Sequence, residues 1–258
     1  IIYDVEAIAT DRDILQEELN GKVYTEEKKL KQYDKEMRLS VTADRIITVS
    51  EADAEKFRRF GKTDIVVLGH TMEIARPIAG FHERNGLLFV GNLDDDASPN
   101  VDSVLWFIRD IFPMIRREIP NMTVDIVGSD NSPRIRSLTH EKGVYFHGRV
   151  SSISDYYNKS RVFIAPTRFA AGIPYKIHEA ASFGLPVVST QLLSQQLGWR
   201  HRQELLAARI DKYDFARHVI DLYHDEDLWN LLQKNAINFV CRHMSADAYK
   251  KKIAEILK

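Results

Sequence analysis

The chain has 258 residues, 44% of them hydrophobic and 28% charged, and its formal net charge is −1. That balance excludes a disordered chain and a strongly basic nucleic-acid-binding protein, so no nucleic-acid partner is expected. The length suffices to bury a core without disulfide or metal staples, and no apolar run reaches the ~20 residues of a membrane-spanning helix.

Residues 1–5 read as a strand already under way, with no initiator Met and no signal-peptide pattern, which points to a fragment with an upstream portion absent. A charged helical stretch follows over about 25–44, then a strand at 45–50, a helix at 52–60 and a strand at 64–68. Ser50 is placed to cap that helix and Gly61 to stop it. Regular patterning lapses between 71 and 85, around Pro77 and Gly80, which is read as a linker. The expected division is therefore a first domain at 1–78, a second at 79–244 and a terminal helix at 245–258.

The second series opens with a strand at 86–90, followed by Gly91-Asn92 and the acidic loop Asp94-Asp95-Asp96. Val101, Val104, Leu105, Ile108, Phe112, Ile115 and Ile119 recur every three or four residues, predicting one helix with a buried stripe. Strands at 123–127, 144–147, 162–165 and 186–189 alternate with turns, and a further strand is expected at 205–208. Helices are expected at 213–223 and 228–242, and a last one at 245–257 carries Tyr249, Ile253, Ile256 and Leu257 on one face. Such alternation is the mark of doubly wound parallel α/β sheets. The single cysteine, Cys241, follows Ile237, Phe239 and Val240 and reads as a buried, inert thiol, in keeping with a reducing, cytoplasmic compartment.

In open parallel sheets, ligands collect beyond the C-terminal strand ends. Here those ends carry Gly91-Asn92, Gly128-Ser129, Gly148-Arg149 and Pro166-Thr167-Arg168, where glycines let backbone amides approach a ligand. The most informative stretch runs from Arg168 through Gly172-Ile173-Pro174 to Thr190. It reads as a glycine-containing loop, a helix starting near Pro174, a stop at Gly184 and another strand. Free amides at that helix start, with Arg168 and Lys176 beside them, would suit a diphosphate. Glu179, one turn past Lys176, is either half of a surface Lys–Glu pair or a carboxylate able to accept both hydroxyls of a ribose. In the first domain Asp4 and Glu6 alternate along a strand and, with Arg12, follow an end that would face a cleft; a solvated loop is the simpler alternative. His70 and His178 read as hydrogen-bonded structural histidines before catalytic ones, and Asp94 to Asp96 as a solvated loop before a cation site.

As a set, Gly172-Ile173, Glu179-Ala180-Ala181 and Gly184-Leu185-Pro186-Val187-Val188-Ser189-Thr190 resemble the donor-binding signature of the GT-B glycosyltransferases, in particular glycosyltransferase family four. Val90-Gly91-Asn92 and Phe146-His147-Gly148-Arg149-Val150 support the resemblance. It implies an α/β fold of two Rossmann-like, doubly wound parallel-sheet domains, the N-terminal one incomplete, with the last helix crossing back onto the first domain. It also implies retaining transfer of a sugar from a nucleoside diphosphate sugar to a glycan or lipid-linked acceptor, as in bacterial polysaccharide assembly, with no metal or other cofactor. Arg168 and Lys176 would be catalytic. Glu179, Gly172, Ile173, Pro174, Gly91, Asn92, Gly128, Arg149 and Val150 would hold the donor, and Asp4, Glu6 and Arg12 would stand on the acceptor side. Peripheral membrane association through the upstream portion is a further expectation. Two departures stand out: Ala171 replaces the first of the family's two acids, and the usual Arg–Lys pair after the first strand of this domain is not evident around Asn92. A nucleotide-sugar epimerase of similar architecture and a non-catalytic nucleotide-sugar-binding module are the alternatives.

Overall fold

The computed structural model describes residues 1–75 and 78–256, so Pro77 and Leu257 lie outside the described residues. The first domain has three parallel strands, β1 (Ile2–Val5), β2 (Arg45–Thr48) and β3 (Ile65–Val67), in that spatial order, with Ile2 opposite Arg45 and Ile46 opposite Ile65. Its helices are α1 (Ala9–Leu19), α2 (Glu26–Met37) and α3 (Glu51–Arg59). Thr25 caps α2, and the Ser50 hydroxyl accepts the Asp53 amide at 3.0 Å to start α3. Gly61 ends α3 with φ +80°, a left-handed turn natural to glycine. Val5, Ile8, Met37, Ile46 and Phe57 form this domain's small core. Helix α1 is missing from the sequence reading because Ile14 is its one buried residue, too little to make a periodic stripe.

The second domain is a six-stranded sheet built from β4 (Leu87–Val90), β5 (Val124–Val127), β6 (Val144–Phe146), β7 (Val162–Ala165), β8 (Val187–Thr190) and β9 (Leu206–Ala208). All neighbours are parallel and the order is β6-β5-β4-β7-β8-β9, so the winding reverses between β4 and β7. Alternate residues of the buried strands feed opposite layers. Leu87, Phe89, Ile126 and Ile164 join the core beneath α4 (Pro99–Trp106), α5 (Phe112–Glu118) and α10 (Lys212–His224). Leu88, Val127, Phe163 and Ala165 join the one beneath α8 (Tyr175–Ser182), α9 (Gln191–Leu197) and α11 (Glu226–His243). Two short helices, α6 (Pro133–Arg136) and α7 (Ser154–Lys159), complete the crossovers.

The single long helix expected after the acidic loop is interrupted. Phe107–Ile111 forms a π turn between α4 and α5. Pro113 in the first turn of α5 has no amide to give, and the local widening accommodates the missing bond while Ile108, Phe112 and Ile115 stay buried. Cys241 is exposed, correcting the buried thiol of the sequence reading. Leu232, Ala236 and Val240 occupy the inward face of α11, and Cys241 lies about 100° further round.

The segment joining the domains runs against the second one. Met72 donates its amide to Met244 O at 2.7 Å and Ala75 to Ser182 O at 3.0 Å. The last helix, α12 (Ala246–Ile256), lies on the first domain, with Lys252 Nζ 3.5 Å from Val67 O and the Arg45 guanidinium bonded to Ile256 O. Arg84 anchors the entry to β4. It is 1% exposed and donates to Ala79 O (3.0 Å), Ser160 O (3.2 Å), Phe183 O (2.7 Å) and Tyr157 O, with no carboxylate among these partners. Burial pushes its pKa down to about 10, yet it stays charged at neutral pH. Arg84→Ala would remove its donors from four carbonyls at once, of which, among the described residues, Ala79 O alone keeps the Gln233 side-chain amide at 3.2 Å, and is expected to lower stability by about 3–5 kcal/mol, read by urea denaturation. No described helix is long and apolar enough to cross a membrane.

Candidate functional site

The order reversal places the ends of β4 and β7 side by side, and the loops after β4, β5 and β7 converge there. Gly128 has φ +140°, and a Cβ on it would stand 1.9 Å from Gly91 O, so the β5 loop can lie against the β4 loop only as glycine. The β6 loop joins them through the Gly128 amide, which donates to Gly148 O at 2.9 Å. Arg149 beyond it is exposed and Val150 half-buried.

The acidic loop is a bracket between strand ends. Asp94 accepts from Ser129 Oγ (2.8 Å), Asn131 Nδ2 (2.7 Å) and the Asn131 amide (3.2 Å), and these donors, Ser129 first, hold its carboxyl below the usual range. Asp96 bonds the Ser132 hydroxyl, and its carbonyl accepts from Arg134 at 3.1 Å. Among the described residues, no group of three or more His, Cys, Asp or Glu is placed to hold a metal ion.

After β7 the chain meets the first domain. Gly172 is buried with φ +73°, and a Cβ there would come within 2.7 Å of Glu6 O and 2.9 Å of Ala7 Cβ. Glycine is therefore required both for backbone sign and for close approach between domains. Pro174 stands immediately before α8. The Tyr175 and Ile177 amides bond Ile173 O and Pro174 O, while those of Gly172, Ile173 and Lys176 make no backbone hydrogen bond among the described residues.

Arg168 and Lys176 both reach the first turn of α4, to different partners. Arg168 forms a two-point ion pair with Asp102 (2.9 and 2.5 Å) and packs over the Trp106 ring. Lys176 Nζ donates to Asn100 Oδ1 at 2.7 Å and lies 4.5 Å from the Phe89 ring centroid. Burial drives the Lys176 amine down to about 7. Glu179 is half-buried, and its Oε2 accepts from Tyr157 at 2.7 Å. Tyr157 is fully buried, stacked on Phe183 with centroids 4.8 Å apart, and burial raises its phenol, with Glu179 adding to the effect. A neutral, immobile phenol thus fixes one carboxylate oxygen of Glu179.

Asp4 and Glu6 line an interdomain cavity of about 320 Å³ together with His70, Thr71, Tyr175 and Tyr249. His70 Nε2 is 3.7 Å from Glu6 Oε2, and its ring meets Tyr175 edge-on at 5.3 Å. Arg12 is not among that cavity's walls; it sits on α1, 3.3 Å from Asp13. His178 corrects the hydrogen-bonded histidine of the sequence reading. It is 4% exposed between Trp199 and Phe239, neither ring nitrogen has a partner among the described residues, and burial, helped by His70, drives it to about 4. It is a neutral core ring.

Sequence reasoning missed Asn100, Asp102 and Tyr157. Asn100 and Asp102 follow Ser98-Pro99 with nothing in the chain spacing to relate them to Lys176 and Arg168, and nothing relates Tyr157 to Glu179.

A family model described as glycosyl transferases group 1 matches residues 84–225. An uncharacterised 44.6 kDa protein of the cps region of Klebsiella pneumoniae is 26% identical over 162 residues, 60% of this chain and 41% of that protein. An uncharacterised glycosyltransferase of Haemophilus influenzae is 25% identical over 156 residues, 57% of this chain and 42% of that protein. The matched stretch thus spans less than half the length of these curated relatives. The crystal structure of Anabaena HepE in complex with UDP and glucose superposes with a TM-score of 0.68 at 17% identity, covering 99% of this chain and 71% of that one. The paired parallel sheets are thus of the GT-B type, with a small three-stranded first domain. With more than half its residues inside the matched segment, the chain belongs to the glycosyl transferases group 1 family.

Proposed function

We propose that the protein transfers a sugar from a nucleoside diphosphate sugar to a glycan or lipid-linked acceptor, with retention of configuration, in the cytoplasm. The observation that carries this reading is the pairing of a half-buried lysine with a fixed carboxylate one turn further along α8, at the point where the sheet order reverses. The diphosphate would lie across the amides of Gly172, Ile173 and Lys176, where a helix dipole and an ammonium favour anionic oxygens. The Glu179 oxygen that Tyr157 leaves open would accept from the ribose hydroxyls, and the Arg149–Val150 side would border the base. As the glycosidic bond breaks, charge gathers on the departing diphosphate, and donors already in place stabilise it without reorganisation. Arg168, neutralised by Asp102, acts on that charge less directly than Lys176. No metal enters this reading. The acceptor would approach from the cavity of Asp4, Glu6 and His70. The complex of the Anabaena neighbour with UDP and glucose supports a nucleotide-sugar donor.

A thermal-shift panel of UDP-, GDP-, CDP- and dTDP-sugars tests the donor site, since a ligand held at 100 times its Kd raises stability by about 2.7 kcal/mol. A melting temperature indifferent to every one of them at millimolar concentration would reject the proposal. Ala171 and the ion-paired Arg168 favour a second reading, binding without turnover. Release of free nucleotide from the stabilising donor, with or without acceptor, separates the two.

A further inference from the structure

Asn100 joins two segments that the proposed function treats separately. Its Oδ1 accepts from Lys176 Nζ at 2.7 Å, and its Nδ2 donates to Asn92 O at 3.2 Å. The amide has room to do both because residue 91 is glycine: a Cβ there would stand 2.9–3.0 Å from all three terminal atoms of the Asn100 side chain. One side chain therefore spans from the β4–α4 loop to the first turn of α8.

We propose that Asn100 is a positioning residue that holds the Lys176 ammonium between the first turns of α4 and α8. The proposal rests on the reading above only in naming a diphosphate as what Lys176 meets. A neutral amide oxygen pointed at an ammonium favours the charged form, opposing desolvation. The ionisable groups on the surrounding elements are already engaged. On α8, Glu179 is bonded to Tyr157; on α4, Asp102 is bonded to Arg168 from the β7 loop; β4 presents only the Phe89 ring, and burial alone lowers the amine. Among the described residues, Asn100 Oδ1 is the side-chain acceptor that meets the amine directly, while burial lowers it.

The test measures the pH dependence of Lys176 labelling by acetic anhydride, read by peptide mass spectrometry, in the full chain and in Asn100→Ala, Asn100→Asp and Gly91→Ala. Removing the acceptor in Asn100→Ala should lower the labelling midpoint. A carboxylate in Asn100→Asp should raise it by a unit or more. Gly91→Ala, by displacing the amide, should move it in the same direction as Asn100→Ala, and adding it to Asn100→Ala should produce no further shift. Circular dichroism checks folding of each variant. A midpoint in folded Asn100→Ala that coincides with wild type overturns the proposal, as does one in folded Gly91→Ala should the first variant fail to fold. The labelling requires no nucleotide, so opposite shifts with no donor binding in any variant would leave Asn100's role standing and remove the proposed function instead. Donor binding with an unmoved midpoint would do the reverse.

Discussion

Replacing Glu179 with alanine is expected to weaken nucleotide-sugar binding by on the order of 100-fold while the protein stays folded, because two charge-assisted hydrogen bonds of ~1.5–3 kcal/mol each would be lost against some compensation by water. Glu179→Gln should lose less, since the amide keeps one acceptor oxygen for the ribose hydroxyls. Tyr157→Phe should fall between wild type and Glu179→Gln: the carboxylate remains, but the phenol that fixes it is gone. That graded series separates a ligand-binding carboxylate from a helix-surface residue, for which all three changes would be near neutral in binding. Calorimetric titration with the donor identified by thermal shift gives the affinities. Glu179→Ala binding within twofold of wild type would remove the ribose role. A large fall in its melting temperature would instead assign the carboxylate to the fold.

The sheet scaffold was legible because parallel strands buried on both faces are continuous apolar runs closed by glycine or proline. Leu87 to Val90 before Gly91 and Val162 to Ala165 before Pro166 could scarcely be anything else. Helix α1 was not, since a helix with one buried residue leaves no periodic trace. The π turn was concealed for the opposite reason: its apolar residues stay on the core side, and only Pro113 betrays the break. At the site, Lys176 and Glu179 were visible as a short motif on one helix. Their partners Asn100 and Tyr157 come from 76 and 22 residues away and are set by how α4 and α7 pack against the sheet. Arg168 shows the limit most clearly. A cation at a strand end reads as a phosphate contact, and nothing in its own neighbourhood reveals that Asp102, 66 residues earlier, has already taken it.

Lys176 should make donor binding depend on pH in a direction that its burial fixes. The free amine titrates at about 7, far below the lysine value of 10.5, because the site desolvates it. A bound diphosphate favours the ammonium, so its pKa rises in the complex. Below pH 7 the amine is already charged and binding takes up no proton from this group. Above 7 each binding event must protonate it, and affinity should fall by roughly tenfold per pH unit until the pKa of the complex is reached. Calorimetry at pH 8 in two buffers of different ionisation enthalpy would show the uptake as a buffer-dependent heat, and the dependence should vanish at pH 6. The same depressed amine opposes folding: between pH 7 and 10.5 the unfolded chain binds more protons here than the native one, so this residue's contribution makes stability rise with pH across that window. Lys176→Met should therefore melt higher than wild type at pH 7, lose that slope, and bind donor at least tenfold more weakly. Gain in stability with loss of binding is what a desolvated cation kept for a ligand's sake predicts. A methionine variant that is both less stable and equal in affinity would show that Lys176 serves packing alone.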